Sequence, residues 1–471
     1  MPAKVTIESL SENAVHQCGR SQRLLILGIC CMSLLIVGLD TTIVNVALPA
    51  VRGDLNASVS GLQWAVDAYT LVLASLLMVS GSTADRIGRR RVFQIGLIVF
   101  SLGSLLCGLV QSLAMLIAFR VLQAIGIWGA VFGLSLALGP VLGGVLVDGV
   151  SWRAVFFVNV PIGIAAIVLS AMFVPESRAS RPRRLDPVGQ LLVIVTLAAL
   201  TYGIIEGPRA GWASAEILVL FAVALIGLVA LIFYELHRRD PLIELRFFRS
   251  APFAGANALA LLAFVAEGGF LFLNTLYLQE VRHLSPLDAG LYLLPLAGMQ
   301  LVFAPISGRM LGRVGARPSL LIAATAVTAA ALMLTTLTAT TSEGYLIGAY
   351  VVFGIGFGLV NPPITDTAVS GMPPSQAGVA AAVASTSRQV GITLGVAVLG
   401  AIAGGAASGT LGPSFAEATH PAWVVIACVG IAMFAIGALT TTRWARATAD
   451  RTAQRGPLPL TPQAADRAGV R

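Results

Sequence analysis

Long apolar segments recur along almost the whole chain and constrain its fold more than any other feature. A helix of about 20 apolar residues crosses the roughly 30 Å hydrocarbon layer of a membrane. Twelve segments of this kind are predicted to be spans: 24–48, 62–84, 92–112, 154–174, 188–207, 216–235, 253–279, 287–308, 318–340, 345–365, 378–402 and 421–442. Since backbone polar groups in lipid must be paired within the spanning segment, the sequence predicts an all-α integral membrane protein.

Composition and charge exclude several other classes. Charged residues make up 11% of the chain and hydrophobic residues 57%, whereas a soluble domain carries about 25% charge. The net charge of +8 lies in short loops between apolar segments, which argues against a nucleic-acid-binding face. The five cysteines lack metal-ligand spacing. The sequence shows no nucleophile with a base and no phosphate-binding loop, so we expect no enzyme, cofactor, metal or ATP-binding subunit.

A basic segment and its weaker copy indicate an internal repeat. Residues 81–91 read GSTADRIGRRR and follow one apolar segment, and residues 308–317 read GRMLGRVGAR at the corresponding place downstream. Arginines beside a span mark the cytoplasmic side of a membrane. Related halves in a membrane protein commonly enclose a substrate site at the midplane. The alternative is a loop that only fixes orientation.

The segment 113–147 decides the number of spans. The basic loops 85–91 and 178–184 should both lie inside, so an even number of crossings separates them. Residues 113–147 must then cross twice or not at all. Its length is too great for one upright span and too small for two, so two short half-helices meeting around Gly126 are predicted. The nominal total is fourteen spans, with both termini cytoplasmic.

These assignments divide the chain into five parts. The two spans 188–207 and 216–235 lie between basic linkers and carry no motif, so they are interpreted as an insertion between two six-helix bundles. From Arg443 onward the chain is polar and is predicted to be disordered. The parts are a cytoplasmic tail, 1–23; an N-terminal bundle, 24–174; linkers with two inserted spans, 175–252; a C-terminal bundle, 253–442; and a cytoplasmic tail, 443–471.

Three ionisable residues within apolar spans are candidates for proton coupling. Asp40 lies in the first span, Arg120 in 113–147, and Glu267 in the second half between apolar residues and two glycines that leave room beside it. A charged side chain in lipid is costly and usually faces a cavity or a partner. The alternatives are a helix-packing hydrogen bond for either carboxyl and a salt bridge or an interfacial position for Arg120. Arg388 and Glu206 are weaker candidates.

Two further sets of residues suit a transport path. Gly139, Pro140, Gly143 and Gly144 are predicted to break a span at its centre, because proline removes a backbone hydrogen bond and glycines permit close packing. A purely structural kink is the alternative. Five aromatics could line a pocket, although interfacial positions would explain them equally: Trp64, Tyr69, Phe270, Phe272 and Tyr277.

Taken together, these motifs resemble the major facilitator superfamily and, within it, the fourteen-span drug:proton antiporters, from about residue 24 to 442. The segment Leu39 to Pro49 is similar to the first-span motif, and Ser151 to Gly163 and Asp240 to Ile243 fit the same branch. The superfamily's signature loop is matched by Gly81, Asp85, Arg86, Gly88, Arg89 and Arg90. Its fourth-span motif is matched by Arg120 and Gln123, and its fifth-span antiporter motif by Gly139, Pro140, Gly143 and Gly144.

The resemblance implies a proton-coupled exporter of drugs or other small organic compounds in the cytoplasmic membrane. Asp40 would carry the proton, Arg120 would assist its transfer, and the 81–91 loop would latch the two bundles. The chain departs from the family at one point, because Ile127 follows Gly126 directly and on the order of thirty residues of spans four and five are missing. The alternatives are a transporter for one metabolite or siderophore and, because of this shortening, a membrane protein that does not transport.

Overall fold

The computed structural model describes residues 28, 39–40, 42–126, 135–177, 186–238, 241, 243–370, 372, 377–406 and 412–454. Over these ranges the chain is helical and contains no strand. Within these ranges the N-terminal half contains seven helices: α1 (42–55), α2 (Val59–Ile87), α3 (Arg89–Gly108), α4 (Leu113–Gly126), α5 (Ser135–Gly149), α6 (Ala154–Phe157) and α7 (Asn159–Phe173).

Two long helices follow and separate the halves, namely α8 (Pro187–Ala210) and α9 (Ala215–His237). A 3-10 turn at Leu245–Arg249 leads into the C-terminal half. That half contains α10 (Ala251–Leu276), which continues as a π-helical turn at Tyr277–Val281, then α11 (Pro286–Tyr292), α12 (Leu294–Val314), α13 (Ala316–Leu334), α14 (Glu343–Val369), α15 (Ala377–Ala406), α16 (Pro413–Ala418), α17 (His420–Thr440) and α18 (Arg443–Gln454).

The predicted membrane character of the chain is confirmed. Among the residues with a described structure, ten helices or helix pairs are long and apolar enough to cross a membrane. Each of them overlaps one of the twelve predicted spans. Helix α2, which covers 29 residues, corresponds to the predicted span 62–84, and most of 24–48 lies outside the described residues.

The shortened segment forms two short helices, as the sequence indicates. Helices α4 and α5 contain 14 and 15 residues, which gives lengths of about 21 and 23 Å at 1.5 Å per residue. Each is shorter than the hydrocarbon layer. Residues 127–134, which include the predicted turn, lie outside the described part of the chain, so the total of fourteen spans stays a prediction.

The two halves pack against each other through α2 and α15 on one side and through α5 with α11 and α12 on the other. Helix α8 contacts both α2 and α15, and α9 packs on the outer side of α8. Apolar side chains of α9 such as Leu225, Ile226 and Phe233 are exposed, which suits contact with lipid. The inserted pair therefore covers the line along which the halves meet at α2 and α15.

The repeated basic segments form similar one-residue turns in the two halves. Gly88, with φ of 122°, is the only residue between α2 and α3, and Gly315, with φ of 83°, separates α12 from α13. Such positive φ values favour glycine because a Cβ would clash with the backbone. The turn is thus shorter than predicted, since residues 81–87 belong to α2.

One other expectation from the sequence is wrong. The tail was predicted to be disordered from Arg443, but α18 covers Arg443–Gln454. It is held because Ala445 and Ala449 are buried and the Thr448 hydroxyl accepts a 2.9 Å hydrogen bond from the Ala251 amide. Helix α5 continues through Pro140 over Ser135–Gly149, and a kink at this proline stays a prediction.

Candidate functional site

Asp40 and Arg120 form an ion pair in the interior of the N-terminal half. Nη1 of Arg120 donates to Oδ2 of Asp40 at 2.5 Å. Nε of Arg120 donates to the Ala65 carbonyl at 3.1 Å. The side chains of Arg120 and Asp40 are 1% and 0% exposed, so both charges are removed from solvent. Two of the residues that the sequence proposes for proton coupling are therefore direct partners.

Three neutral side chains complete this network and fix its geometry. Gln123 Nε2 and Asn159 Nδ2 donate to Oδ1 of Asp40 at 2.7 and 3.0 Å. Both amides also donate to Ser104 Oγ, each at 3.1 Å, and this hydroxyl donates in turn to the Phe156 carbonyl at 2.9 Å. The carboxylate thus accepts three hydrogen bonds, from Arg120, Gln123 and Asn159, in a buried position.

Aromatic rings enclose the guanidinium. Its carbon lies 4.1 Å from the centroid of the Tyr69 ring and 6.0 Å from that of Phe156. Contacts of this kind partly replace water around a desolvated cation. Tyr69 was one of five aromatics considered for a pocket, and the structure places it at the ion pair instead.

Close contacts between helices bring these residues together. At Gly103 an added Cβ would lie 2.7 Å from Cα of Gln123, and at Gly126 it would overlap the Phe100 backbone. Helices α3 and α4 therefore approach to backbone contact, which small residues permit in membrane proteins. This approach positions Ser104 on α3 opposite Gln123 on α4. Arg120 reaches Asp40 even though the segment that carries it is shortened.

Glu267 lies apart from this network. It is 6% exposed on α10, adjacent to the Gln300 side chain, whose amide nitrogen makes no hydrogen bond. It forms no ion pair with any residue that the structure describes. The predicted room beside its two glycines is absent, because Gly268 packs on the Ile392 carbonyl and Gly269 on the Leu399 side chain of α15.

The weaker ionisable candidates have local partners. Nη2 of Arg388 donates to Thr365 Oγ1 at 2.5 Å, and its guanidinium lies 6.0 Å from the Phe264 ring centroid. Glu206 accepts a 3.1 Å hydrogen bond from Trp64 Nε1, and this contact joins α8 to α2. Neither residue belongs to the Asp40 network.

The predicted latch makes several contacts within the N-terminal half. The Arg89 amide donates to the Ser177 carbonyl at 2.9 Å, and the Arg90 amide donates to Glu176 Oε1 at 3.1 Å. An added Cβ on Gly88 would lie 2.5 Å from the same carboxylate. Gly81 and Arg86 lie in the last turns of α2. The Asp85 side chain is outside the described part of the structure.

The glycines of α5 lie at contacts with other helices. An added Cβ on Gly143 would lie 2.8 Å from the Ile43 side chain of α1, and one on Gly144 would lie 2.5 Å from Cα of Leu287 in the opposite half. Oδ2 of Asp148 accepts a 2.9 Å hydrogen bond from the Leu287 amide. The backbone positions of Gly139 and Pro140 fall within the helix. These glycines therefore bring α5 close to α1 and to the C-terminal half.

Sequence reasoning missed three residues of interest. Ser104 gave no signal, because a lone serine in an apolar helix is common. Asn159 lies in the motif segment Ser151 to Gly163, but the motif indicates no role for this residue. Asp67 on α2 is 0% exposed, and the argument that selected Asp40, a carboxylate within an apolar span, would have selected it as well.

Comparison with known proteins identifies the family. The sequence pattern of the Major Facilitator Superfamily matches residues 30–126 and 122–396. The chain belongs to the Major Facilitator Superfamily. The two matched segments meet beside Gly126, where the sequence departs from the expected pattern. Members of this superfamily carry small substrates across membranes as single chains, so this multi-pass protein is a transporter rather than an enzyme.

Similar proteins include drug-resistance and export proteins. The chain is 36% identical over 414 residues to the multidrug resistance protein Stp of Mycobacterium tuberculosis (strain CDC 1551 / Oshkosh), covering 82% of this chain and 77% of that protein. It is 36% identical over 418 residues to the tetracenomycin C resistance and export protein of Streptomyces glaucescens, covering 83% and 78%. A crystal structure of a POT family transporter in complex with 5-aminolevulinic acid shares the fold, with a TM-score of 0.62, 12% identity and coverage of 88% and 96%.

Proposed function

We propose that this superfamily member exports drugs or other small organic compounds from the cell in exchange for protons. The observation that carries the proposal is the buried Asp40–Arg120 pair with its amide and hydroxyl partners. A carboxylate in a dry interior can exchange its cation partner for a proton, and the balance between the two depends on which side supplies water and protons. The names of the similar proteins support export of organic compounds.

In this proposal Asp40 carries the proton and Arg120 sets how tightly it is held. Protonation of Asp40 removes the negative charge that Arg120 neutralises, so the guanidinium must then rely on the Ala65 carbonyl, Gln123 and Tyr69. That change alters the packing of α1 against α4 and links proton binding to helix position. Glu267, which has no cation partner among the described residues, is proposed as a second proton-coupling acid.

Contacts between the halves support alternating access. At the end of the molecule that carries the α1–α2 turn, Arg52 pairs with Glu280 at 3.1 Å and Gln279 Nε2 donates to the Val46 carbonyl at 2.9 Å. This end, called here the Asn56 end, is closed. We infer that it faces outward, because the arginine-rich turn at Gly88 lies at the opposite end of α2. Both termini would then be cytoplasmic.

The remaining predicted residues take conformational roles. Gly81, Asp85, Arg86, Gly88, Arg89 and Arg90 would form a latch whose contacts change between states, and Gly139, Pro140, Gly143 and Gly144 would let α5 slide on its neighbours. The moving units would be the N-terminal bundle, 24–174, and the C-terminal bundle, 253–442, joined by 175–252. A transporter works by rocking such units around a central site.

Export from cells with and without a protonophore tests this function. Cells that produce the protein should keep a panel of fluorescent dyes at lower internal concentration than control cells, and the protonophore should abolish the difference. Export of one metabolite in preference to all dyes would favour a dedicated transporter. Substrate binding without flux in reconstituted vesicles would indicate a protein that does not transport and would contradict the proposal.

A further inference from the structure

Asp67 is a buried carboxyl group that the Asp40 network does not use. It lies on α2 and is 0% exposed. Oδ2 has no hydrogen-bond partner, and Oδ1 is only 3.5 Å from the hydroxyl of Thr70, its neighbour one turn along the same helix. The side chain forms no ion pair with any residue in the described ranges. An ionised carboxylate in such surroundings is strongly disfavoured, so the neutral, protonated group suits this state.

Asp67 lies at the contact between the two halves, so its protonation can affect how they pack. Gln63, Asp67 and Thr70 are spaced four and three residues apart and therefore share one face of α2. Gln63 Nε2 donates to the Val396 and Ala397 carbonyls of α15 at 3.0 and 2.9 Å. Thr70 accepts a 2.8 Å hydrogen bond from Thr393 of the same helix. Asp67 thus lies between two hydrogen-bonded bridges that join the halves.

This face of α2 must separate from α15 if the Asn56 end is to open. Separation would bring water to Asp67 and permit its ionisation, whereas closure returns the carboxyl to a dry contact without a partner. The closed arrangement therefore binds one proton that the open arrangement releases. No comparable argument applies to Asp40, because its cation partner Arg120 lies within the same half and is not removed when the halves separate.

We propose that Asp67 is a second proton site, whose protonation is required for α2 and α15 to close the Asn56 end. The inference rests on the proposed function, in which this end opens and closes during transport. Acidic conditions then favour the closed end, and raising the pH favours its opening. The site thereby adds a proton requirement to one conformational step, separate from the exchange at Asp40.

The charged groups on the neighbouring helices have other partners. Arg120 of α4 and Asp40 pair with each other on the side of α2 that carries Ala65. On the remaining helices that pack against α2, the charged side chains also have partners: Glu206 of α8 contacts Trp64 and Arg209, Asp186, before α8, contacts Arg238, and Arg388 of α15 contacts Thr365. On α3, Arg90 and Arg91 contact residues 174–176, and Arg89 has an interaction partner as well. The response to pH at this contact is therefore assigned to Asp67.

Pulsed electron paramagnetic resonance on the full chain in lipid nanodiscs tests the proposal. Spin labels at Gly53→Cys and Gly344→Cys, one in each half, would report the opening, since no atom lies within 4 Å of an added Cβ at either site. The native cysteines are replaced by alanine. Between pH 5 and 9 the ratio of closed to open molecules should fall with rising pH, by up to about tenfold per unit for one linked proton. Asp67→Asn should remain closed with less than about a twofold change.

Two control variants distinguish the effect of the Asp67 carboxyl group from the effect of weakening the contact between the halves. Asp148→Asn weakens an exposed hydrogen bond between the halves. It should lower the closed fraction at every pH but leave the dependence of the closed-to-open ratio on pH unchanged. Asp67→Glu retains a carboxyl group and should show the same dependence on pH as the wild type. A pH response that persists in Asp67→Asn, or a wild type that shows no pH response, would overturn the assignment. The wild-type test does not depend on whether a variant folds.

The same preparation is assayed for gradient-driven export of a dye from vesicles. Absence of export in the wild type would contradict the proposed function, while the distance measurement would still decide the role of Asp67. Export in the wild type with an unchanged slope in Asp67→Asn would reject this inference and leave the proposed function standing.

Discussion

Replacement of Asp40 by asparagine separates the contribution of the buried ion pair to stability from its part in transport. In Asp40→Asn the amide keeps the shape of the carboxyl but removes its charge. The oxygen of the new side chain can still accept from Gln123 and Asn159, whereas its NH2 group would face Nη1 of Arg120, which is itself a donor. The guanidinium is then buried without a counter-charge.

The expected cost follows from the geometry of the pair. Breaking a buried ion pair by removing one partner destabilises a protein by about 3–5 kcal/mol. Arg120 retains hydrogen bonds to Ala65 and Gln123 and its contact with Tyr69, so the lower end of that range is expected. The variant should still fold, with a lower unfolding temperature in detergent, and should lose gradient-driven export completely.

A double-mutant cycle tests this reasoning. Arg120→Gln should also be destabilised, while Asp40→Asn combined with Arg120→Gln removes both charges and should lose less than the sum of the single variants, by about 0.5–3 kcal/mol. All three should be inactive in vesicles with a proton gradient. Asp54→Asn, an exposed carboxyl near the end of α1, serves as the matched control and should export normally. Gradient-driven export by Asp40→Asn at the wild-type rate, or strictly additive losses, would refute the interpretation.

Three further results are expected. Hydrogen bonds from Trp152 and Arg153 lower the pKa of Asp54 below its ordinary value of 3.8. This contact therefore stabilises the protein above that pH, and the stabilisation is lost as the pH falls through the lowered pKa. The difference in unfolding temperature between pH 3 and pH 6 should be smaller in Asp54→Asn than in the wild type. Arg52→Gln breaks a partly exposed ion pair with Glu280 worth about 0.5–1 kcal/mol, so spin-label distances should show a two- to fivefold larger open fraction, and an unchanged fraction would argue against a role in closure. Gly126→Ala places a methyl group against the backbone of α3 and should cost about 1–3 kcal/mol of stability together with export, whereas Gly149→Ala, which has open space around it, should behave as the wild type in the same unfolding and export assays.

The sequence determined the class of fold because hydropathy is a local property. A long apolar segment must pair its own backbone groups in lipid. The predicted spans other than 24–48, most of which lies outside the described residues, therefore became helices within about six residues of their expected limits. The repeat at residues 81–91 and 308–317 predicted two related halves, and the positive φ angles of Gly88 and Gly315 show the shared turn. The free-energy cost of a charged side chain in lipid also identified Asp40, Arg120 and Glu267 as candidates, and the first two proved to be partners.

The tertiary structure decided which of these residues meet, because the contacts join positions far apart in sequence. Asp40 is 80 residues from Arg120 and 119 from Asn159, and no periodicity within one helix reports on another helix. The same holds for Asp67, whose importance depends on which face of α2 meets α15. Helix α18 was missed for a related reason: its polar composition resembles a disordered tail, and it is stabilised by packing against α10, α17 and the 3-10 turn.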